Sequence, residues 1–318
     1  MTSEVALYVG EALGKYGFPG GHPFGPDRQD AFWQEAVRRK LDRQVEICGP
    51  REAAREKIER FHTRGHVERV VELSRLGRGY IDYGDTPAYP GVYEASANVV
   101  GAALEGLERV MSGECRRSFQ PIGGLHHARR DTAAGFCVFN DCGVVIETLR
   151  EKYGVRRIAY VDIDVHHGDG LFYPYEDDAD LIYADIHEDG DYLYPGTGRA
   201  SERGKAAAEG AKLNIPLPPG AGDQEFFRAW EQVVDHLRRL RPQFIVMQCG
   251  ADSLAGDPLA HLQYTPAAHA HAARSLCELA NEMCAGRIMG FGGGGYHRGN
   301  LARAWCAVLD EFIRGSER

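Results

Sequence analysis

The stretch Tyr160-Val161-Asp162-Ile163-Asp164-Val165-His166-His167-Gly168-Asp169-Gly170 constrains this chain more than any other. Valine and isoleucine at 161, 163 and 165 alternate with Asp162, Asp164 and His166. A period of two means a strand with one apolar side and one side carrying metal-type ligands. Side chains two apart on a strand stand about 6.5 Å from one another, so Asp164 and His166 can lean onto one ion. Three carboxylates and two imidazoles in so short a run are costly to bury unpaired. They require a metal, one another, or both.

A chain of 318 residues, 43% of them hydrophobic, can bury a large core, and one α/β domain over residues 1–318 is the economical reading. A net charge of −9 argues against a surface built for nucleic acid. The eight cysteines show no CxxC pair and no regular spacing, which suits reduced, buried thiols better than a disulfide framework. The N-terminus lacks a basic region followed by an apolar one, and no run of about 18 apolar residues occurs, so a cytoplasmic protein with no membrane partner is expected. Oligomer formation is left open.

Short apolar runs at 5–9, 157–165, 181–186, 244–249 and 287–291 read as strands. Helical patterns cover 30–48, 98–111, 139–153, 224–240, 266–283 and 300–312. Their alternation predicts a central, mostly parallel sheet with helices on both faces. In such sheets, sites form beyond the carboxyl ends of the strands. His166, Asp252 and Tyr296 all stand just past a predicted strand end.

Asp164, His166 and Asp252 make a set of two carboxylates and one imidazole, which suits zinc with a position left open for water and substrate. Iron or cobalt also accept such a set, and either aspartate alone could instead cap a helix or pair with an arginine. The glycines before His126-His127 permit a sharp turn, so both rings can act together as general base and proton carrier, oriented by Asp162 and Asp169. Gly290-Phe291-Gly292-Gly293-Gly294-Gly295-Tyr296 lacks the Lys-Ser/Thr of a phosphate loop. It reads better as a loop that presents Tyr296, either as a donor to an oxyanion or as a packed core phenol. Phe136 and Tyr194, each close to glycine, either wall a narrow channel or pack in the core. The acidic run around Glu176, Asp177 and Asp178 reads as a solvated loop.

Together GGLHHA (123–128), GFCVFND (135–141), YVDIDVHHGDG (160–170), YPGTG (194–198), QCGADSLAGDP (248–258) and GGGGY (292–296) resemble the histone deacetylase family, of the arginase–deacetylase fold. The loops, with DTPAYPG at 85–91, resemble those of the bacterial acetoin-utilisation deacetylases. The resemblance implies a zinc ion on Asp164, His166 and Asp252, with His126 and His127 as the paired histidines and Tyr296 polarising the carbonyl. It implies that Phe136 and Tyr194 flank an acyl-lysine channel, that the Gly135 carbonyl accepts the substrate amide, that Asp85 holds substrate at the rim, and that Arg28 lines the acetate exit. It further implies structural potassium at Asp162, Asp164, His166, Asp185 and Ile186, and a second ion at Tyr175, Asp178 and Leu181. Tyr194 and Asp185 depart from the family's usual phenylalanine and serine.

The implied activity is zinc-dependent hydrolysis of an acyl group from the Nε-amine of lysine, in a protein, a peptide or a small acylated amine. The rivals are hydrolysis of acetylpolyamines and a binding protein without catalysis. Leu259 stands where a polyamine enzyme would favour an acid, which supports a lysine-type channel, and the catalytic set is complete, which disfavours the binding protein.

Overall fold

A computed structural model describes residues 4–316 of the chain. Eight strands form one sheet in the order β2-β1-β3-β8-β7-β4-β5-β6, and every neighbouring pair is parallel. They are β1 (Val5–Tyr8), β2 (Glu46–Cys48), β3 (Arg117–Gln120), β4 (Ile158–Asp162), β5 (Leu181–Glu188), β6 (Lys212–Leu217), β7 (Phe244–Gln248) and β8 (Ile288–Phe291). The helices are α1 (Glu11–Gly14), α2 (Arg28–Arg38), α3 (Arg55–Ile58), α4 (Arg64–Leu76), α5 (Val92–Ser112), α6 (Asp141–Tyr153), α7 (Asp169–Phe172), α8 (Asp223–Leu240), α9 (Pro266–Met283) and α10 (Arg298–Ser316).

Side-chain alternation along the strands divides the interior in two. Ile158 and Tyr160 of β4 enter a core with α4, α5 and α6, while Ala159 and Val161 enter the opposite core with α8, α9 and α10. All of β4, β5 and β7 is buried, as expected for parallel strands covered on both faces. Every cysteine is buried and free. No helix among the described residues is long and apolar enough to cross a membrane.

Three strands escaped the apolar-run criterion. β3 reads RSFQ and buries Arg117, whose guanidinium donates to the Phe312 carbonyl at 2.6 Å and to the Gly315 carbonyl at 2.8 Å. β6 lies at the sheet edge, where Pro216 is tolerated because its missing donor faces no further strand. The helix expected at 30–48 stops at Arg38; Lys40 takes a left-handed φ of 60°. The chain then makes a short turn over Leu41–Arg43 and enters β2, so the alternation of Val45, Glu46, Ile47 and Cys48 was a strand signal. α4 also lay outside the predicted helices, although Thr63 caps it by accepting from the His66 amide at 3.3 Å.

Next to α4, His62 accepts the Asn140 amide on Nε2 at 2.8 Å, which requires a neutral ring. Burial, with repulsion from His66, holds its pKa well below the usual value, and burial brings His236 to about 4. Unfolded imidazoles protonate near pH 6.5 whereas these folded rings do not, so between about pH 6.5 and 4 the unfolded state binds more protons. Stability is therefore lost as pH falls through that window. Melting curves at pH 7 and pH 5 should show a clear drop, smaller in His62→Gln, whose amide oxygen accepts the same N–H; equal drops would contradict this assignment.

Candidate active site

The site opens on the edge formed by the carboxyl ends of β3, β4, β7 and β8. Four separate segments meet there because the parallel sheet delivers all four strand ends to one side. β4 ends at Asp162, earlier than the alternating pattern predicts, so Asp164 and His166 lie on bends just past the strand. The Ile163 amide still donates to the Gln248 carbonyl at 3.1 Å, which keeps this segment beside the end of β7.

Asp164, His166 and Asp252 are buried, with ligand atoms within 4.8 Å of one another. His166 Nδ1 stands 3.1 Å from Asp164 Oδ1 and 3.2 Å from Asp252 Oδ2. One ring nitrogen carries one proton at most, and Asp252 Oδ2 is left as a buried acceptor without a hydrogen bond. Burial pushes His166 down in pKa, but Asp164 and Asp252 outweigh it and raise the imidazole to about 10. Burial and the Asp164 charge raise Asp252 to about 7. Excess negative charge, an orphaned carboxylate oxygen and a two-carboxylate, one-imidazole donor set fit a divalent cation.

The remaining oxygens of the set are already held. Asp164 Oδ2 accepts from Gln248 Nε2 and from the Gly294 amide, both at 2.8 Å, and Asp252 Oδ1 accepts from the Val165 amide at 3.2 Å. A Cβ at Gly294 would collide with the Asp252 carboxylate, so the glycine-rich loop serves close approach of backbone to these acids.

His126 and His127 sit on the loop after β3. The His126 amide donates to the Gly124 carbonyl at 2.9 Å, a tight turn that brings the two ring centroids to 4.1 Å. Asp141, at the start of α6, fixes the turn by accepting from the Gly124 and Leu125 amides at 2.9 Å each. His126 Nδ1 pairs with Asp162 Oδ2 at 2.8 Å, and His127 Nδ1 pairs with Asp169 Oδ1 at 2.7 Å. The two acids differ. Burial opposes ionisation of Asp169, but His127 and Arg129 prevail and bring it to about 2. Asp162 is driven well above the carboxylate range by burial and then by Asp185 and Asp164. Burial, with the neighbouring His126, brings His127 to about 4, so it is neutral near pH 7.

Tyr296 completes the cleft. Its ring lies 5.9 Å from Phe136 and 6.4 Å from Phe24, and Asp257 anchors its backbone by accepting the Tyr296 amide at 2.8 Å. Burial, then the Asp252 and Asp164 charges, keep the phenol protonated. Gly124, His126, His127, Gly135, Asp164, His166 and Tyr296 line one small cleft.

Phe136 and Tyr194, expected to flank a channel, each bring a ring close to a residue of the cleft, Tyr296 at 5.9 Å and His127 at 5.1 Å. Phe136 holds a left-handed φ of 67°, kept there by its amide donating to Thr86 Oγ1 at 3.1 Å and its carbonyl accepting from the Tyr16 hydroxyl at 2.8 Å. A Cβ on Gly135 would strike the His127 ring. Tyr194 stands half-exposed with its ring 5.1 Å from that of His127. Asp85 and Leu259 are exposed at the surface. Burial and the neighbouring Asp82 raise Asp85 to about 6. Behind the cleft Arg28 is fully buried: it donates to the Gly295 carbonyl at 3.0 Å and to the Gly293 carbonyl at 2.5 Å, and Nη1 has no hydrogen-bond partner.

The two expected potassium sets differ in fit. β4 and β5 pair Asp162 with Asp185, and the Asp185 carboxylate accepts from the Gly168 amide at 2.9 Å and pairs with His187 Nδ1 at 2.7 Å. Ile186 is buried beside it. Burial, then the charges of Asp185 and Asp164, raise Asp162, whereas burial of Asp185 is outweighed by His187, which holds it below its ordinary value. The second set does not fit an ion: Lys212 Nζ donates to the carbonyls of Asp178, at 2.7 Å, and Leu181. The acid at 178 is not simply solvated either, since Arg150 Nη1 meets its carboxylate at 2.6 Å.

Asp141, Gln248, Tyr160 and Arg129 also support the site, and the residue-by-residue reading of the sequence assigned them no role. Tyr160 donates to Asp162 Oδ2 at 2.6 Å. Their signal was a polar group at the end of an apolar strand, as in FIVMQ, or within a glycine-bounded motif.

A profile of the histone deacetylase domain matches residues 22–312. The chain belongs to the histone deacetylase family. It is 34% identical to the acetoin utilization protein AcuC of Bacillus subtilis, over 98% of this chain and 82% of that protein. It is 32% identical to histone deacetylase 8 of Xenopus tropicalis, over 83% of this chain and 72% of the relative. The crystal structure of the HDA15 HD domain superposes with a TM-score of 0.90 at 27% identity, covering 99% of this chain and 89% of that one.

Metal-stripped protein titrated with zinc or cobalt should take up one divalent ion per chain and melt several degrees higher. Asp252→Ala should weaken uptake by about 100-fold or more, since even outer-shell losses cost about 10–100-fold. Calorimetry and the visible spectrum of the cobalt form measure this; undiminished uptake by the variant would remove Asp252 from the ligand set.

Proposed function

We propose that the chain is a zinc-dependent deacylase that hydrolyses the Nε-amide of acyl-lysine. The observation that carries this reading is one cleft lined by Asp164, His166, His126, His127 and a protonated Tyr296, with Asp252 beside His166 and with Asp162 and Asp169 each paired to one of the two histidines. A divalent ion held by the three ligands would supply Lewis-acid polarisation of the carbonyl and a more acidic water.

The residues of the chain do the rest. An extended acyl-lysine enters between Phe136 and Tyr194, with Asp85 at the rim to accept backbone N–H groups and the Gly135 carbonyl to accept the scissile amide N–H. His127, neutral and held by an ionised Asp169, takes the proton of the attacking water on Nε2. The imidazolium so formed is stabilised by Asp169 and later hands the proton to the leaving amine. His126, tied to Asp162, tunes the field around it. The Tyr296 hydroxyl donates to the tetrahedral oxyanion. Arg28, with its free Nη1, receives the carboxylate product on the far side.

A structural potassium ion at Asp162, Asp164, His166, Asp185 and Ile186 belongs to the same reading, supported by the repulsion among those buried acids. The eight free thiols support a reducing, cytoplasmic setting. Acetylpolyamine hydrolysis is the second reading; the apolar Leu259 at the surface argues for lysine peptides over polycations.

Tyr296→Phe should keep full zinc content and lose about 10²–10³-fold in kcat, the usual effect of removing one oxyanion donor; unchanged turnover would refute the role. Acetyl-lysine peptide should outperform N-acetylspermidine in kcat/KM by at least about tenfold with the zinc-loaded enzyme. The reverse order would favour the polyamine reading.

A further inference from the structure

Lys212 is a lysine with 2% of its surface exposed, at the start of the edge strand β6. A buried ammonium ordinarily sits on a carboxylate. This one makes no ion pair among the described residues; it donates to two main-chain carbonyls, those of Asp178 and Leu181. The Asp178 carboxylate is turned elsewhere, accepting from Arg150 Nη1 at 2.6 Å and from the Asp180 amide at 2.9 Å. Carbonyl oxygens converging on a compact monovalent charge form the kind of shell that protein backbones build around an alkali cation. The neighbouring chain supports the same shell: the Tyr175 carbonyl accepts the Asp178 amide at 3.1 Å, and the Asp178 carboxylate caps the Leu181 amide at 3.2 Å.

We propose that the Lys212 ammonium is a covalently tethered substitute for a monovalent cation, filling the position between the Asp178 and Leu181 carbonyls so that this chain binds no ion there. The tether fastens the segment between α7 and β5 to the edge strand. That segment continues directly from α7, whose first residue is Asp169, the partner of His127. A tethered charge cannot dissociate, so this part of the fold does not depend on the salt around it. The inference stands on the main-chain geometry alone and does not rest on the deacylase reading.

The test compares the wild-type protein with Lys212→Ala and Lys212→Met. Crystals of each are soaked in thallium(I) acetate, an anomalous-scattering stand-in for potassium. Melting is followed in potassium chloride and in choline chloride at equal ionic strength. Wild-type crystals should show no thallium between the two carbonyls, and Lys212→Ala should show a peak there. In solution, potassium should raise the melting temperature of Lys212→Ala by about 3 °C more than that of the wild type, at about tenfold excess over its dissociation constant. Lys212→Met, which keeps the stem but not the charge, should be destabilised in both salts. A thallium peak between the carbonyls in the wild type overturns the proposal, even if neither variant folds. So does a folded Lys212→Ala that binds no thallium there and gains no more from potassium than the wild type does.

Discussion

Negative charge confined away from water is the constraint around which this protein is organised. Asp162, Asp164, Asp185 and Asp252 are all completely buried within a short distance of the end of β4. Removing one partner from a buried pair costs about 3–5 kcal/mol, so each acid has to be met by donors of fixed position. His126 and Tyr160 meet Asp162, Gln248 and the Gly294 amide meet Asp164, and His187 meets Asp185. Asp252 alone of these keeps an unsatisfied oxygen, and it stands 3.2 Å from Nδ1 of His166, which lines the cleft. The fold thus neutralises most of the charge internally and leaves the remainder where a cation can reach it.

The parallel sheet makes this possible. Loops after β3, β4, β7 and β8 carry the histidine turn, the two-ligand segment, Asp252 and Tyr296, and a common strand direction sends all four to one rim. The same geometry separates roles. The two histidine–aspartate pairs are alike in contact but unlike in surroundings, because Arg129 stands beside Asp169 whereas other carboxylates crowd Asp162. His127 is therefore backed by a firmly ionised acid, which suits a group that must gain and then release a proton.

Much of this was legible in the sequence. The alternation at 160–166 announced a site at a strand end, and the parallel sheet with helices on both faces followed from the order of apolar runs. Asp164, His166 and Asp252 come together in the fold, and His126 lies against Asp162 and His127 against Asp169. What stayed hidden had physical reasons. β3 carries a buried arginine satisfied by carbonyls far along the chain, which no local pattern reveals. Asp141 accepts the main-chain amides of Gly124 and Leu125, and Gln248 donates its side-chain amide to Asp164, contacts that only the fold creates. Lys212 lies on the neighbouring edge strand, about thirty positions after the carbonyls it binds, so a motif at 175–181 could be recognised while its occupant could not.

The eight thiols have a consequence of their own. All are buried, and burial raises the pKa of Cys137, Cys142 and Cys249 well above the ordinary value. Thiolate, the reactive form, is thereby suppressed while the chain stays folded. Alkylating reagents therefore find little thiolate to modify until the interior opens. The rate at which iodoacetamide labels this protein is accordingly a clock for its own unfolding.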